Sequence, residues 1–527
     1  MILPILNAEL QAQAEKTYKT QNVSEFEMME NLGQSMASRL DKVCAQLKPD
    51  AIFFLIGRGN NGGDGLSVAR YSHSKTKFIF CLDRENPSSL NEKEFELLKV
   101  SKKNNELIYL DFVKEDLKEI KKYKNSGKKV VIVDALLGVG AKDRNPDAST
   151  LKLLNFIKEA HFARSYVIAI DVPSGLLENA KRIHDFKFLK AHETFSVASV
   201  KFSQLHDDGV AASGRLKVFS LGKDVSELLT RQNNSYIPSV RDALELLNKE
   251  HSLKLNQASS DQHKNSRGRV LLVGGELHHG GALRLAAEAA MRSGAGYATV
   301  LQEDKEKYSI SELQEWTLKS FSEIENYENF FDDYSSIVFG CGLNPNVTLN
   351  WSPNFWKALS RYKGLLVVDA GGLIPFLKEI SHCEADLIFT PHPGEAHRIL
   401  EAHGEKFSET RFEVFEKLKS LLASKKYKGA LLLKGAYPIV SDLNEDSRHW
   451  VFNLADSKLA SAGSGDVLAG FLGGLNRQME VQSQKALSIL MMGLCSQKIA
   501  LKKLTQSSLA RDILKAMCEA REKLWQN

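Results

Sequence analysis

The sequence predicts an α/β protein built from two different three-layer α/β domains, on three observations. Short apolar, β-rich runs alternate with segments of helical periodicity, the pattern of parallel strands covered by helices on both faces. Most of these runs end in Gly, Asp or both. A chain of 527 residues exceeds one ordinary hydrophobic core, and a polar stretch divides it into two strand series with no shared motif.

In chain order, "SEFEMMENLGQSMASRLDKV" has apolar residues at helical spacing and precedes the first strand. "AIFFLIG", "KFIFCLD", "KVVIVDALLG" and "YVIAIDVPSG" then read as buried strands of a parallel sheet. The chain next turns polar through "TRQNNSYIPS" and "NQASSDQHKNSRG", with one helix, "VRDALELLNKEHSL", between them. A second series follows: "RVLLVGG", "SIVFGCGL", "GLLVVDAGGL", "ADLIFTPHPGE" and "GALLLKGAYPIV". The expected division is a domain over 1–225, a linker with one helix over 226–265 and a second domain over 266–527. The helix "QKALSILMMGLCSQKIALKK" reads as core rather than as a membrane or partner face.

The bulk numbers narrow the function. A hydrophobic content of 43% and a charged content of 26% are ordinary for a soluble globular chain. The net charge of +5 is small and scattered, and "KKYKNSGKK" reads as solvated helix ends, so no nucleic-acid partner is expected. Six cysteines without a C-x-x-C pair argue for a reducing compartment. The start "MILPILNAELQAQAEK" lacks a basic n-region, and no apolar stretch approaches a membrane span of about 18 residues, so a cytoplasmic location is expected.

Four stretches carry chemistry, three in the first domain and one in the second. "GRGNNGGDGLSVARY" (Gly57–Tyr71) reads as a polar, Gly-rich loop between a strand and a helix. Its glycines suggest special dihedrals or close ligand approach, and Asn60, Asn61 and Asp64 add side-chain oxygens that a plain turn does not require. Asp134 and Asp171 end neighbouring strands, so in a parallel sheet all three stretches converge at the carboxyl edge, where such folds bind ligands. "ASAGSGDVLAGFLGGL" places Gly463, Ser464 and Gly465 before a helix expected to start near Asp466. There N–H groups can hold a phosphate while the carboxylate takes a proton, or Asp466 can simply cap the helix. "HH" at His278 and His279 lacks metal-site spacing.

The motifs also resemble a known pair of families. "GRGNNGGDG", "VDALLGVG" and "IDVPSG" are similar to the NAD(P)H-hydrate epimerase domain, which implies a Rossmann-like fold. "GRVLLVGG", "TPHPGE", "LLLKGA" and "GSGDVLAG" resemble the ADP-dependent NAD(P)H-hydrate dehydratases, which implies a ribokinase-like fold. Together they cover nearly the whole chain in the order of the bifunctional repair enzymes. The resemblance implies an isomerase and a lyase that restore hydrated nicotinamide cofactors, with ADP as co-substrate, K⁺ in the first domain and Mg²⁺ in the second. It places Asn60, Asn61, Gly62, Gly63 and Asp64 on the hydrate, with Gly138, Val139, Gly140, Ala141, Lys142, Asp143 and Arg144 as a second substrate loop. Asp171 would touch the reacting ring, and Asn61, Asp134 and Ser174 would hold K⁺. In the second domain Ala282, Gly342, His392 and Asp466 would face the hydrate. Lys434, Gly435, Ala436, Tyr437, Pro438 and Gly465 would hold the nucleotide. Asp171 and Asp466 are the expected catalytic residues, and a homo-oligomer is the expected assembly.

Some positions depart from the family pattern. Pro438 stands where a Thr is usual, and Ala462 replaces a Gly, which requires a negative φ there. "GELHHGGA" lacks a usual tyrosine, for which His278 or His279 would stand in, and the segment after "DVPSGLLENA" lacks the usual "DADTG". Two other readings stay open from the residues alone: a sugar or vitamin kinase in the second domain, and a non-catalytic nucleotide-binding module in the first.

Overall fold

The computed structural model describes residues 3–6, 24–73, 77–81, 86–101, 107–111, 122–123, 125–139, 165–177, 190–205, 207–221, 235–251, 253–255, 264–275, 280–302, 316–344, 351–406, 410–444 and 447–526. They form two compact units, one over Leu3–Ser235 and one from Tyr236 onward.

The first unit opens with helix α1 (Glu25–Leu47), started by a capping box in which Ser24 and Glu27 bond reciprocally. Strand β1 (Ala51–Ile56) and helix α2 (Asn60–Tyr71) follow, then β2 (Lys77–Cys81), α3 (Ser89–Val100), β3 (Leu107–Asp111), β4 (Val130–Ala135), β5 (Ser165–Ile170), β6 (Glu193–Val197) and β7 (Arg215–Phe219). The sheet order is β3-β2-β1-β4-β5-β6-β7, parallel throughout. This is the Rossmann order with one strand added, and its switch point lies between β1 and β4. All six residues of β1 and of β4 are buried, as expected of central strands covered on both faces. A short strand, Leu3–Leu6, pairs in parallel with Val200–Lys201 and fixes the backbone of Lys201.

The Gly-rich stretch is not a loop. Only Gly57–Gly59 turn, and the helix α2 begins at Asn60. The glycines serve close packing within the protein: a Cβ on Gly62 would lie 2.0 Å from the Gly57 carbonyl oxygen, and one on Gly65 would lie 2.5 Å from the Ala135 Cβ. Tertiary contact overrides the poor helix propensity of glycine.

The second unit contains α4 (Val240–Glu250), β8 (Arg269–Val273), α5 (Gly280–Arg292), β9 (Tyr297–Gln302), β10 (Thr317–Ser320) and β11 (Ser336–Phe339). It continues through α6 (Pro353–Ser360), β12 (Leu365–Val368), α7 (Leu373–Glu379), β13 (Asp386–Phe389), α8 (Pro393–Ala402), α9 (Arg411–Ser424) and β14 (Lys428–Leu433). The last elements are β15 (Ile439–Asp442), β16 (His449–Val451), α10 (Ser464–Leu475), α11 (Lys485–Ala500) and α12 (Ala510–Gln526). Strands run β10-β9-β8-β11-β12-β13-β14-β15-β16, parallel as far as β14 and antiparallel beyond it. Here too the order reverses, between β8 and β11, and the carboxyl ends of β8, β11, β12, β13 and β14 share one edge. Helix α4, expected inside a linker, buries Ala243 and Leu247 in this unit's core. Helix α10 crosses α5 closely, since a Cβ on Gly470 would lie 2.0 Å from the Ala286 carbonyl oxygen. Helix α11 is buried almost all round, in line with its apolar sequence. Among the described residues no helix is long and apolar enough to cross a membrane, and no disulfide joins the six cysteines.

Candidate active sites

In the first unit, three carboxyl-edge stretches converge at the switch point. Asp134, in β4, is fully buried and accepts the Ser174 N–H at 2.8 Å and the Ser174 hydroxyl at 2.6 Å. Burial pushes the Asp134 carboxyl up, and the Ser174 bonds pull the other way. The Ser174 hydroxyl in turn accepts the Leu137 N–H at 3.1 Å. One residue on, a Cβ placed on Gly138 would lie 3.2 Å from the Asn61 Cβ and 3.5 Å from Asp171 Oδ2. Segment 137–138 therefore links the Asp134–Ser174 pair to Asn61 and Asp171. Asn61 is the telling residue: both polar atoms of its amide are buried with no hydrogen-bond partner. Such a group costs about 1–3 kcal/mol unless something outside the chain satisfies it.

Asp171 follows β5 in the left-handed region, at φ 65°, a conformation that Asp and Asn adopt more readily than other non-glycine residues. Its Oδ2 accepts the Val139 N–H at 3.2 Å, and its Oδ1 pairs with the Lys201 ammonium. The Lys201 side chain is 1% exposed, and its other donors reach the Val197 carbonyl at 2.6 Å and the Ser199 carbonyl at 3.2 Å. Gln204 ties the same turn together, donating to the Asp171 carbonyl at 2.7 Å. Neither Lys201 nor Gln204 stood out in the sequence. Asn60 is exposed, Asp64 is half-buried, and Gly62 and Gly63 are packed inside. Gly140, Ala141, Lys142, Asp143 and Arg144 lie outside the described residues, as do His278 and His279.

In the second unit, α10 begins at Ser464, and its N-cap is Gly463 at φ 88°, with no side-chain cap bond. Ala462 is not among the positive-φ residues, so the Ala-for-Gly replacement is unstrained. Asp466 thus lies inside the first turn rather than at the cap. The Ser464 N–H, one of three amides expected to meet a phosphate, is already bonded to the Ser461 carbonyl at 3.2 Å. The uncapped first turn still leaves other amide donors and the positive end of the helix dipole for an anion.

Around Asp466 the structure gathers Cys341 from the end of β11, Asp369 from the end of β12 and Lys434 from the end of β14. Burial, then the Asp369 charge, pushes the Asp466 carboxyl up to about 6, while the Cys341 thiol and the Lys434 ammonium pull it down. Lys434 Nζ meets Asp369 Oδ1 at 2.5 Å and would lie 3.2 Å from a Cβ on Gly465, so Lys434 and Gly465 do converge. Burial opposes the Lys434 charge, but the Asp369 and Glu395 carboxylates outweigh it and hold the ammonium above its ordinary range. Burial pushes the Cys341 thiol well up, and the Asp466 and Asp369 charges add to this.

His392 caps α8: its Nδ1 accepts the Gly394 and Glu395 N–H groups at 3.0 and 3.3 Å, leaving the ring half exposed. Glu395 returns a bond to the His392 N–H at 2.8 Å, and burial raises its carboxyl. Gly342, at φ 72°, follows Cys341, and Ala282 lies in the first turn of α5, half-buried. In the nucleotide stretch Gly435 has φ 143°, and Arg411 spans its neighbour by donating to the Lys434 carbonyl at 2.8 Å. The Ala436 and Pro438 carbonyls accept from Leu454 and Phe452, both at 3.0 Å. The Tyr437 ring is buried, which pushes its hydroxyl up to about 12. In this stretch Gly435 is exposed, Lys434 and Ala436 are half-buried, and Tyr437 and Pro438 are buried. Asp369, Glu395, Arg411 and Cys341 are site residues that the sequence did not single out.

Comparison with known proteins gives two family models, one for each unit. Residues 25–203 match the YjeF-related protein N-terminus, and residues 270–519 match NAD(P)H-hydrate dehydratase. A bifunctional NAD(P)H-hydrate repair enzyme of Coxiella burnetii is 29% identical over 86% of this chain and 86% of its own length. Its counterpart in Dictyoglomus turgidum is 28% identical over 90% of this chain and 89% of its own. A ribokinase-like superfamily protein of known structure from Enterococcus faecalis is 22% identical, covering 56% of this chain and 98% of that one at a TM-score of 0.44.

Proposed function

This chain belongs to the bifunctional NAD(P)H-hydrate repair enzymes, and we propose that it interconverts the R and S forms of hydrated NAD(P)H and dehydrates the S form with ADP. The observation that carries the reading is Asp466: a carboxylate poised near neutrality in the first turn of an uncapped helix, with a lysine ammonium beside it.

Epimerisation removes the ring hydroxyl to leave an iminium and re-adds water on the other face. Asp171 is the group to accept the proton of the incoming water and return it to the departing hydroxyl. The Lys201 ammonium fixes the Asp171 carboxylate, and Asn61 and Gly138 line the approach to it. The orphaned Asn61 amide and the buried Asp134 charge with Ser174 beside it suit a hard monovalent cation taking oxygen donors, so these three residues would hold K⁺. Bound K⁺ would supply charge balance and order to the strand ends.

Dehydration needs a better leaving group than hydroxide. Asp466 takes the hydroxyl proton as that oxygen attacks the terminal phosphorus of ADP, releasing AMP. The C–O bond then breaks, phosphate leaves, and loss of a ring proton restores the dihydronicotinamide. Lys434 and the first-turn amides of α10 offset the phosphate charge, and Lys434, Gly435 and Ala436 seat the nucleotide. The thiol in the donor set around Asp466 does not suit Mg²⁺, which takes oxygen ligands, so that ion would arrive on the ADP phosphates and neutralise them. Six sparse cysteines without a disulfide support work in a reducing compartment such as the cytoplasm.

The test is recovery of dihydronicotinamide absorbance from mixed hydrate epimers with either nucleotide. ADP is expected to give complete recovery with stoichiometric AMP, faster than ATP. Accumulation of a stable phosphorylated product would instead make the second unit a kinase. The pH dependence is a separate check. The base must be ionised, so kcat/KM for dehydration is expected to level off above about pH 6 and to fall about tenfold per unit below it. A limb centred at the ordinary aspartate value of about 3.9 would remove Asp466's surroundings from the account.

A further inference from the structure

Cys341, Asp369 and Asp466 offer one ligand atom each, all within 4.8 Å of one another. They arrive from three elements held at fixed positions. Gly275 donates its N–H to the Cys341 carbonyl at 3.0 Å, and Asp369 donates its own to the Phe339 carbonyl at 2.9 Å. Neither side chain is open to solvent, since Cys341 is 0% and Asp369 is 1% exposed. A second observation is independent of this grouping. Asp369 spends Oδ1 on Lys434, but its Oδ2 is buried with no hydrogen-bond partner at all. A buried carboxylate oxygen without a donor is costly, and a bound cation is one partner that would satisfy it.

The donor set says which cation. The two carboxylates would suit Mg²⁺ or Ca²⁺, but the sulfur is foreign to both, and the mixed set matches the four-coordinate preference of Zn²⁺ or Co²⁺. Tetrahedral Zn²⁺ at its ordinary bond lengths holds such ligand atoms about 3.5 Å apart, so binding asks for a closure of little more than about 1 Å at most. Charge balances as well: a thiolate and two carboxylates carry three negative charges, met by a divalent ion and the Lys434 ammonium. We propose that Cys341, Asp369 and Asp466 form a binding site for one zinc-class divalent ion, with its fourth position open. On binding, the S–H bond breaks, the proton leaves to buffer and a metal–sulfur bond forms. A consequence for activity rests on the dehydratase reading: a coordinated Asp466 cannot accept a proton, so the ion inhibits dehydration and spares epimer exchange.

The experiment is a Co²⁺ titration of the full chain without nucleotide, followed by absorbance. A thiolate-to-Co²⁺ charge-transfer band in the near ultraviolet is expected, with the intense visible bands of four-coordination, saturating at one equivalent and displaced by Zn²⁺. Losing an outer-shell partner alone costs about 10–100-fold in metal affinity, so losing a ligand in Cys341→Ser or Asp369→Asn should cost at least as much. Cys341→Ser should also abolish the charge-transfer band, whereas Cys44→Ser and Cys518→Ser, at the half-buried thiols, should keep it. Should Cys341→Ser fail to fold, Asp369→Asn carries the test through its affinity. No band, or a band that survives Cys341→Ser, overturns the site. Zn²⁺ that binds there yet leaves ADP-dependent dehydration untouched, with Mg²⁺ in excess, keeps the site and removes Asp466 as the base.

Discussion

Asp466→Asn is expected to lower kcat for ADP-dependent dehydration by about 10²–10⁴-fold, the usual worth of general base catalysis. The side chain keeps its size, and its amide oxygen can still accept the hydrogen bond of the Cys341 thiol, but it cannot take a proton from the substrate. The fold should not suffer. The helix cap is Gly463, so the roughly 1 kcal/mol that a lost cap costs does not arise here. Removing the charge also relieves its repulsion with Asp369. The melting temperature should therefore be unchanged or slightly higher, with ADP binding retained. A variant that melts much earlier but turns over at the wild-type rate while folded would reduce Asp466 to a structural residue.

At the other site, Asp171→Ala should abolish enzymatic epimer exchange while dehydration of the S form continues, because the two carboxylates belong to separate units. Here stability enters directly. Removing one member of a buried ion pair costs about 3–5 kcal/mol, and Lys201 would keep its two carbonyl bonds but lose its counter-ion. Asp171→Asn is the cleaner variant, since Asn tolerates the positive φ that Ala resists. Pairing it with Lys201→Met removes both charges and should restore most of the melting temperature without restoring exchange. Exchange at the wild-type rate in that double variant would exclude Asp171 as the proton carrier. Loss of dehydration in a folded single variant would show that the sites are not independent.

These sites were legible in the sequence to different depths. Asp134, Asp171 and Asp466 announce themselves because each interrupts or follows an apolar or Gly-rich run, and the chain alone locates strand ends. The first turn of α2 was misread because glycine has poor helix propensity, and only packing against Gly57, Asn91 and Ala135 explains why it is helical. Asp369 sits as visibly at a strand end as Asp134 does, yet its meaning comes from Lys434, 65 residues further on. Lys201 and Asp171 likewise meet only because a parallel sheet brings their segments together. Periodicity reports which face a residue occupies, and it is silent on which charge another strand will supply.

The late position of helices α10, α11 and α12 also sets an order of events at the ribosome. The first unit's sheet is complete once β7 has emerged, at Phe219. These three helices supply many of the buried residues of the second unit's core, the last of them Leu524, so that core cannot close until α12 has emerged. At roughly 5–20 residues per second, those 300-odd residues take on the order of 15–60 s to synthesise. By the end of that interval the nascent chain carries a finished first unit and a second unit whose strands still lack part of their cover. Slowed translation would lengthen that exposure, and a stop before α11 would yield chains able to exchange epimers but prone to chaperone capture and aggregation, with no route to the repaired cofactor.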